Sequence, residues 1–366
     1  MTPRQTPWPG DPLDAVGALL SEGGPRTDGP SADDEPLGRR LDVAVGAVPA
    51  PDVVFALSRD GHRTLRCGGT APPPPVPRSR LRYELGSASK TFTGLLLAQL
   101  TRSGPFSGTE PAAAFLDPGR PTGRDPITLA HLITHTSGLP GLPPGFFSRA
   151  LPAWHTNPYA RCPGERVVDA FLAHRQRRRP GTRWRYSNFG VAVLGHALTA
   201  ATGVPWEDLL ARHVLSPLRL DGIALHPDGP DTDATGHRAD GTAPTPPLDA
   251  GGFQAAGAVR GTPDDLLTFV EAHLRPSRTP LPDALRTVCR PVLRRGLGHR
   301  HVHTMGWFRH PTEHGPLYFH CGATLGQQAF LGFCPGTGTA LAAVCTRRFR
   351  ARDTFVPTAY SLLAEA

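Results

Sequence analysis

Apolar and polar positions along the chain follow a strand-like period at its two ends and a helical period in between. An apolar run from Val53 to Ser58 and a second run from Arg63 to Cys67 flank Arg59-Asp60-Gly61-His62, which predicts a strand, a tight glycine turn and a second strand. From Met305 onward the pattern is again strand, turn, strand. Gly306 to Arg309, Leu317 to His320, Ala329 to Phe333 and Ala340 to Cys345 are the predicted strands, with a closing helix from Phe355 to Ala364. Between these ends, a proline-rich crossing at Pro72 to Pro77 leads to Leu85-Gly86-Ser87-Ala88-Ser89-Lys90-Thr91-Phe92-Thr93. Phe92, Leu95, Leu96, Leu97 and Leu100 follow at the spacing of an amphipathic helix entered from a loop. Short helical pieces broken by Pro and Gly then run from Gly104 to about residue 250, among them Ile127 to Ile133 and a helix carrying Val191, Val193, Leu194 and Leu198. The segment from Pro227 to Asp249 holds little that packs and predicts a surface loop, and Asp264 to Val270 opens another helix after Thr262-Pro263.

Strands at both ends of a helical insert imply an α/β (α+β) fold whose sheet is assembled from distant segments, with helices on its faces. The expected organisation is a discontinuous sheet domain over 46–105 and 251–366 and a mostly helical lobe over 106–250. Residues 1–45 form a Pro- and Gly-rich arm, expected to be mobile, in which only Leu13, Val16, Leu19 and Leu20 offer a short helix. A cleft between the lobes is the expected place for a site.

Composition narrows the function classes. A chain of 366 residues has ample core, and its 41 glycines and 42 prolines, without any period, indicate a loop-rich globular protein. Net charge is +8, but the densest basic run, Arg175, Arg177, Arg178 and Arg179, has no interleaved aromatics and predicts a solvated helix end, with no nucleic-acid partner. No stretch of about 18 apolar residues is present to span a bilayer. The first ten residues carry no charged-then-apolar leader, so a soluble, cytoplasmic protein without a membrane partner is expected. The six cysteines include no Cys-x-x-Cys pair and are expected to be buried free thiols. His299, His301 and His303 alternate as one strand face would, with His310 and His314 nearby, but no carboxylate or cysteine completes a ligand set. Neither a metal site nor a cofactor is expected.

One residue stands apart from this composition: Lys90 is the only lysine in the chain, every other non-histidine cation being arginine. Arginine stays protonated in proteins, whereas a buried lysine amine can be brought to take up and return a proton. Three residues apart on a helix, Ser87 and Lys90 share a face. The helix N-terminus beside them offers backbone N–H groups and a positive dipole end to a developing negative charge. A nucleophile, a base and an anion-stabilising environment thus come from one short segment.

Three separated motifs then converge. Ser87-Ala88-Ser89-Lys90 matches a Ser-x-x-Lys motif, Tyr186-Ser187-Asn188 a Tyr-x-Asn motif, and His320-Cys321-Gly322 the His-x-Gly variant of a Lys-Thr-Gly motif. In their order and spacing, over roughly residues 50 to 350, the chain resembles the serine β-lactamase and penicillin-binding-protein superfamily, in its class C-like esterase branch. The turn His135-Thr136-Ser137-Gly138-Leu139 is similar to a segment common in that branch. The resemblance implies a β-lactamase/transpeptidase-like antiparallel sheet flanked by helices. It implies Ser87 as nucleophile, Lys90 and Tyr186 as the groups sharing the base work, and the backbone N–H groups of Ser87 and Ala323 as an oxyanion hole. It also implies that Asn188, His320 and Gly322 bind substrate, with Asn188 orienting Lys90 as well. Cys321, following a cleft-facing residue on a strand, is expected to point into the core.

The departures inform as well. A lysine in the third motif would supply a fixed positive charge for the carboxylate of a β-lactam or a peptide C-terminus, and here a histidine stands in its place. With no export signal in the sequence, this weakens the expectation of penicillin hydrolysis or D,D-peptidase action. The favoured function is a serine hydrolase cleaving a small-molecule carboxylic ester, amide or peptide through a Ser87 acyl-enzyme. An acyltransferase or peptide cyclase using the same intermediate is the alternative, and a non-catalytic binding protein on this scaffold is a second one.

Overall fold

The computed structural model describes residues 37–365 apart from 105, 122, 155 and 296–300. Asp60 and Gly61 both take positive φ, 53° and 94°. A two-residue hairpin turn of the right twist needs that combination. Val53–Arg59 (β1) therefore folds back on His62–Gly68 (β2) in a register pairing Arg59 with His62. The main sheet has eight strands. Besides β1 and β2 it contains Leu293–Arg295 (β6), His301–His303 (β7), Phe308–Thr312 (β8), Gly315–Ala323 (β9), Gln328–Cys334 (β10) and Thr339–Cys345 (β11). The strand order is β2-β1-β11-β10-β9-β8-β7-β6 and every pairing is antiparallel. Among the described residues no strand of this sheet lies between Gly68 and Leu293. The sheet is closed by two remote ends of the chain, β1 lying against β11.

Its central strands are apolar on both faces because both faces are covered. Phe55, Leu57, Phe319, Phe330, Leu341 and Ala343 pack in one layer, whose helices are Leu37–Gly46 (α1) and the C-terminal helix. Val54, Ala56, Leu331, Phe333, Ala340 and Ala342 face the larger core on the other side. α1 corrects the expectation of a mobile arm through residue 45: Leu41 and Ala44 are buried, and the helix packs on β1 and β2. The predicted helix around Leu13 to Leu20 lies outside the described residues.

The larger core is built around Ser89–Ser103 (α2). An amphipathic helix was the expectation, yet α2 is buried nearly all round, Lys90, Thr91, Thr93 and Gly94 included. A helix in that position is covered by the sheet on one side and helices on the others. The other helices in this layer are Ala112–Leu116 (α3), Leu129–Ile133 (α4), Phe146–Ala150 (α5), Gly164–Leu172 (α6), Asn188–Thr202 (α7), Trp206–Leu210 (α8), Pro263–Leu274 (α9) and Pro282–Val288 (α10), of which α4, α7, α8 and α10 pack on α2 together with the short helix Gln254–Gly257. Phe92 of α2 stacks on Phe269 of α9 with ring centroids 3.8 Å apart. The last helix, Phe355–Ala364 (α11), returns to the opposite layer.

A second sheet was not anticipated. Tyr83–Glu84 (β3), Ile223–Ala224 (β4) and Arg260–Gly261 (β5) pair in the order β3-β5-β4, each too short to leave a periodic signal. It holds Glu84, three residues before Ser87, beside Arg260, whose guanidinium lies 3.6 Å from the Glu84 carboxylate and 3.3 Å from that of Asp233. Asp233 belongs to the segment expected to be a surface loop. That segment is instead stitched in, with Asp233 buried and Gln327 donating from Nε2 to the Ala234 carbonyl at 2.8 Å. Buried opposite charges far apart in sequence account for the difference.

Candidate active site

Gly86 takes φ 48° and opens a single 3₁₀ turn, Gly86–Ala88, that runs directly into α2. The strand β9 presses on this turn. A Cβ placed on Gly322 would lie 1.9 Å from the Leu85 carbonyl oxygen and 2.8 Å from the Ser87 nitrogen. One placed on Gly86 would lie 2.3 Å from the Ala323 oxygen. Only glycines permit that approach, and it sets the Gly322–Ala323 backbone against the Ser87 N–H.

Within the turn and first helical residues, Lys90 Nζ donates to Ser87 Oγ at 3.0 Å and to the Ala256 carbonyl at 2.9 Å. Its side chain is fully buried. The ammonium position is 5.0 Å from the centre of the Tyr186 ring. Ser87, Lys90 and Tyr186, from motifs nearly a hundred residues apart, are thus brought together. Tyr186 is held by the segment before α7: Ser187 caps that helix by accepting from Gly190 N at 2.8 Å, and it donates to the Pro140 carbonyl at 2.6 Å. Asn188, the first residue of α7, has its Oδ1 buried without a hydrogen-bond partner.

His320 and Gly322 lie on the face of β9 that looks toward α2, while Cys321 packs in the opposite layer as its alternation requires. His320 is 2% exposed, and its Nδ1 lies 2.7 Å from the Cys321 carbonyl. A carbonyl only accepts, so Nδ1 carries the hydrogen and Nε2 of the neutral ring is an acceptor. Burial and the Lys90 charge push the His320 pKa down to about 3. The third motif therefore presents a neutral imidazole.

Sequence reasoning marked the turn at His135 but gave it no role. The structure seats His135 against Tyr186, ring centroids 4.4 Å apart, with the Ser187 N–H donating to its Nδ1 at 3.2 Å. Its backbone takes φ 57°, and its pKa is held well below the ordinary value by burial, then by Lys90, His320 and His303. Trp184 was also missed. Two residues before Tyr186 on an extended stretch, it stacks on His303 at 4.5 Å. Their spacing was the available signal, since alternate residues of extended chain share a side.

The histidine-rich stretch does not converge. His303 faces Trp184, whereas His310 lies 3.1 Å from the Tyr360 hydroxyl on the other side of the sheet; His299 and the side chain of His301 lie outside the described residues. Among the described residues no group of three or more His, Cys, Asp or Glu is placed to hold a metal ion. All six cysteines are free thiols; four are buried as expected, Cys289 is half-buried, and Cys67 on the edge strand β2 is exposed. No single described helix is long and apolar enough to cross a membrane.

An antiparallel sheet covered by helices, with a half-buried serine against a buried lysine at the start of the central helix, defines the β-lactamase/transpeptidase fold. Comparison with known proteins agrees. The family model described as Beta-lactamase matches residues 41–366, and the chain belongs to that family. It is 27% identical over 315 residues to Penicillin-binding protein 4 of Amycolatopsis lactamdurans, covering 77% of this chain and 76% of that one. It is 27% identical over 209 residues to a beta-lactamase of Pseudomonas fluorescens, covering 55% of this chain and about half, 52%, of that enzyme. Among solved structures, a class C beta-lactamase superposes with a TM-score of 0.74 at 18% identity over 92% of this chain and 98% of its own. A D-stereospecific amidohydrolase from Streptomyces sp. does so at 0.69 and 21% identity, over 89% of this chain and 97% of its own.

Proposed function

We propose that this chain hydrolyses a small-molecule carboxylic ester or simple amide through an acyl-enzyme on Ser87. The observation that carries the proposal is the 3.0 Å contact between the fully buried Lys90 Nζ and Ser87 Oγ, whose side chain is only partly buried. A hydroxyl is a weak nucleophile until a neighbouring base takes its proton, and that distance is within the reach such transfer needs. Ser87 Oγ attacks the carbonyl carbon as its proton passes to the Lys90–Tyr186 pair, whose proton is shared and belongs to the pair. The resulting oxyanion sits against the backbone N–H groups of Ser87 and Ala323. The pair returns the proton to the leaving group, and water repeats the sequence to release the acid. Asn188 Oδ1, buried and without a partner, is an acceptor for a substrate donor.

The neutral His320 supports an ester or amide over a β-lactam or a peptide C-terminus. Both of the latter place a carboxylate beside the scissile carbonyl, and an imidazole offering an acceptor at Nε2 gives that carboxylate no favourable partner. Comparison of kcat/KM for p-nitrophenyl butyrate and for a chromogenic cephalosporin tests this. A ratio favouring the neutral ester is expected, and a ratio favouring the cephalosporin contradicts the reading. Transfer to an amine would use the same acyl-enzyme and shows as an amide product by mass when an amine acceptor is added.

A further inference from the structure

The segment leading to Tyr186 forms one wall of a concavity of about 1220 Å³. Nine arginines line it and one carboxylate does, Asp169. They come from separate stretches: Arg149 of α5, Arg161 and Arg166 before and within α6, the run from 175 to 179 after α6, and Arg183 with Arg185 immediately before Tyr186. The run from 175 to 179 was expected to be a solvated helix end. It is exposed irregular chain just beyond the end of α6, as expected, and it borders this concavity. Arg179 is paired with Asp125 at 3.2 Å. Among the described residues, Arg166, Arg175, Arg177, Arg178 and Arg183 have no carboxylate within ion-pair distance.

We propose that this cavity binds a multiply charged oxyanion group, phosphate or carboxylate, of a small molecule. Like charges gathered in a concave space repel one another, and an anion placed among them removes that cost while concentrating in the focused field. Guanidinium forks match the paired oxygens of phosphate and carboxylate, and nine of them line this concavity, with His174 beside them. The arginines are exposed and the hollow is open to solvent, but it is concave, with Phe146 and Trp184 in its lining, a shape that suits a small ligand better than an extended nucleic-acid backbone. Trp184 connects the cavity to the candidate active site, since it lines the one and its ring stacks on His303 beside the other. The charge recognition that β9 lacks at His320 is thereby supplied on the helical side. Binding of the anion stands independently of the Ser87 chemistry; only its assignment to the substrate rests on the hydrolase reading.

The test is isothermal titration of the full chain with tripolyphosphate at 50 and 300 mM NaCl. The proteins compared are wild type, Ser87→Ala, the triple variant Arg177→Ser/Arg178→Ser/Arg183→Ser, and a control of equal charge, Arg59→Ser/Arg212→Ser/Arg350→Ser. Binding is expected in wild type, Ser87→Ala and the control, weaker at high salt, with about a tenfold loss in the cavity triple variant as three exposed ion-pair partners go. Absence of binding at 50 mM NaCl, or an equal loss in the control, overturns the proposal, provided circular dichroism shows both variants folded. A DNA duplex bound more tightly than tripolyphosphate, and lost in the same variant, overturns it in favour of a nucleic-acid surface. Inhibition by tripolyphosphate confined to a carboxylated p-nitrophenyl ester, with the neutral butyrate unaffected, assigns the anion to the substrate. Equal rates of both esters with and without it assign the anion to a separate ligand, and the site stands in either case.

Discussion

Substituting Gly322 by alanine tests whether the close approach of β9 to the Ser87 turn is what builds the site. The added methyl would sit 1.9 Å from Leu85 O, 2.7 Å from Ala88 N and 2.8 Å from Ser87 N, all of them backbone atoms that no rotamer change removes. The first contact is roughly 1.5 Å inside an ordinary one, so the strand and turn must separate by about that much. Overpacking of this kind costs typically about 1–3 kcal/mol, which the double-sided core of the sheet tolerates. The larger effect is on catalysis: a displacement of about 1 Å in a reacting constellation lowers turnover by about 10²-fold, and withdrawal of one oxyanion donor costs about 10²- to 10³-fold. Steady-state hydrolysis of p-nitrophenyl butyrate, read beside thermal melting, separates the two. The expected outcome is a modest fall in Tm with kcat reduced at least about 100-fold. Turnover and melting both near wild type would refute the reasoning, because they would mean that the approach of Gly322 to Ser87 is not tight in solution.

Other predictions follow from single groups. Lys90→Met and Lys90→Arg should each lower kcat by about 10²- to 10⁴-fold with the protein still folded, the first because the base is gone and the second because guanidinium does not give up its proton; near-wild-type turnover by the arginine variant in a stopped assay would remove Lys90 from the proton path. Stability should fall as pH drops below about 6.5. An unfolded histidine takes up a proton near that pH and His320 in the fold only near 3, so between the two the unfolded chain binds more protons and acid favours it. His135, held down in the same way, adds to the effect. Each contributes up to about 1.4 kcal/mol per pH unit, so denaturant midpoints from pH 7 to pH 5 should fall and His320→Gln should flatten the slope; a slope unchanged in that variant would contradict the neutral state assigned to His320.

The parts of the fold legible in the sequence were those fixed by short-range pattern. Asp60-Gly61 between two apolar runs specified a hairpin turn, and the separate apolar runs from Leu317 to Cys345 gave three strands because both faces of that sheet are buried. Ser87 and Lys90 were legible because a helix places residues three apart on one face, and their contact is at 3.0 Å. What escaped depended on partners distant in sequence. Strands of two or three residues such as β3, β4, β6 and β7 carry no period of their own. Asp233 is ordered by Arg260 rather than by its neighbours, and α1 was obscured by the Pro- and Gly-rich stretch before it although Leu37, Leu41 and Val45 lie on one helical face. The protonation of His320 was invisible for the same reason: its burial and the nearby Lys90 are properties of the assembled sheet and helix.

The central claim is that Ser87 forms a covalent acyl-type adduct because Lys90 sits against it. Intact mass spectrometry of wild type, Ser87→Ala and Lys90→Met after incubation with a fluorophosphonate tests it most directly. The account predicts one adduct on wild type at Ser87, none on Ser87→Ala, and labelling slowed by orders of magnitude in Lys90→Met. Labelling of Ser87→Ala at the wild-type rate, or none of folded wild type, would contradict it and leave the serine–lysine pair without a catalytic role.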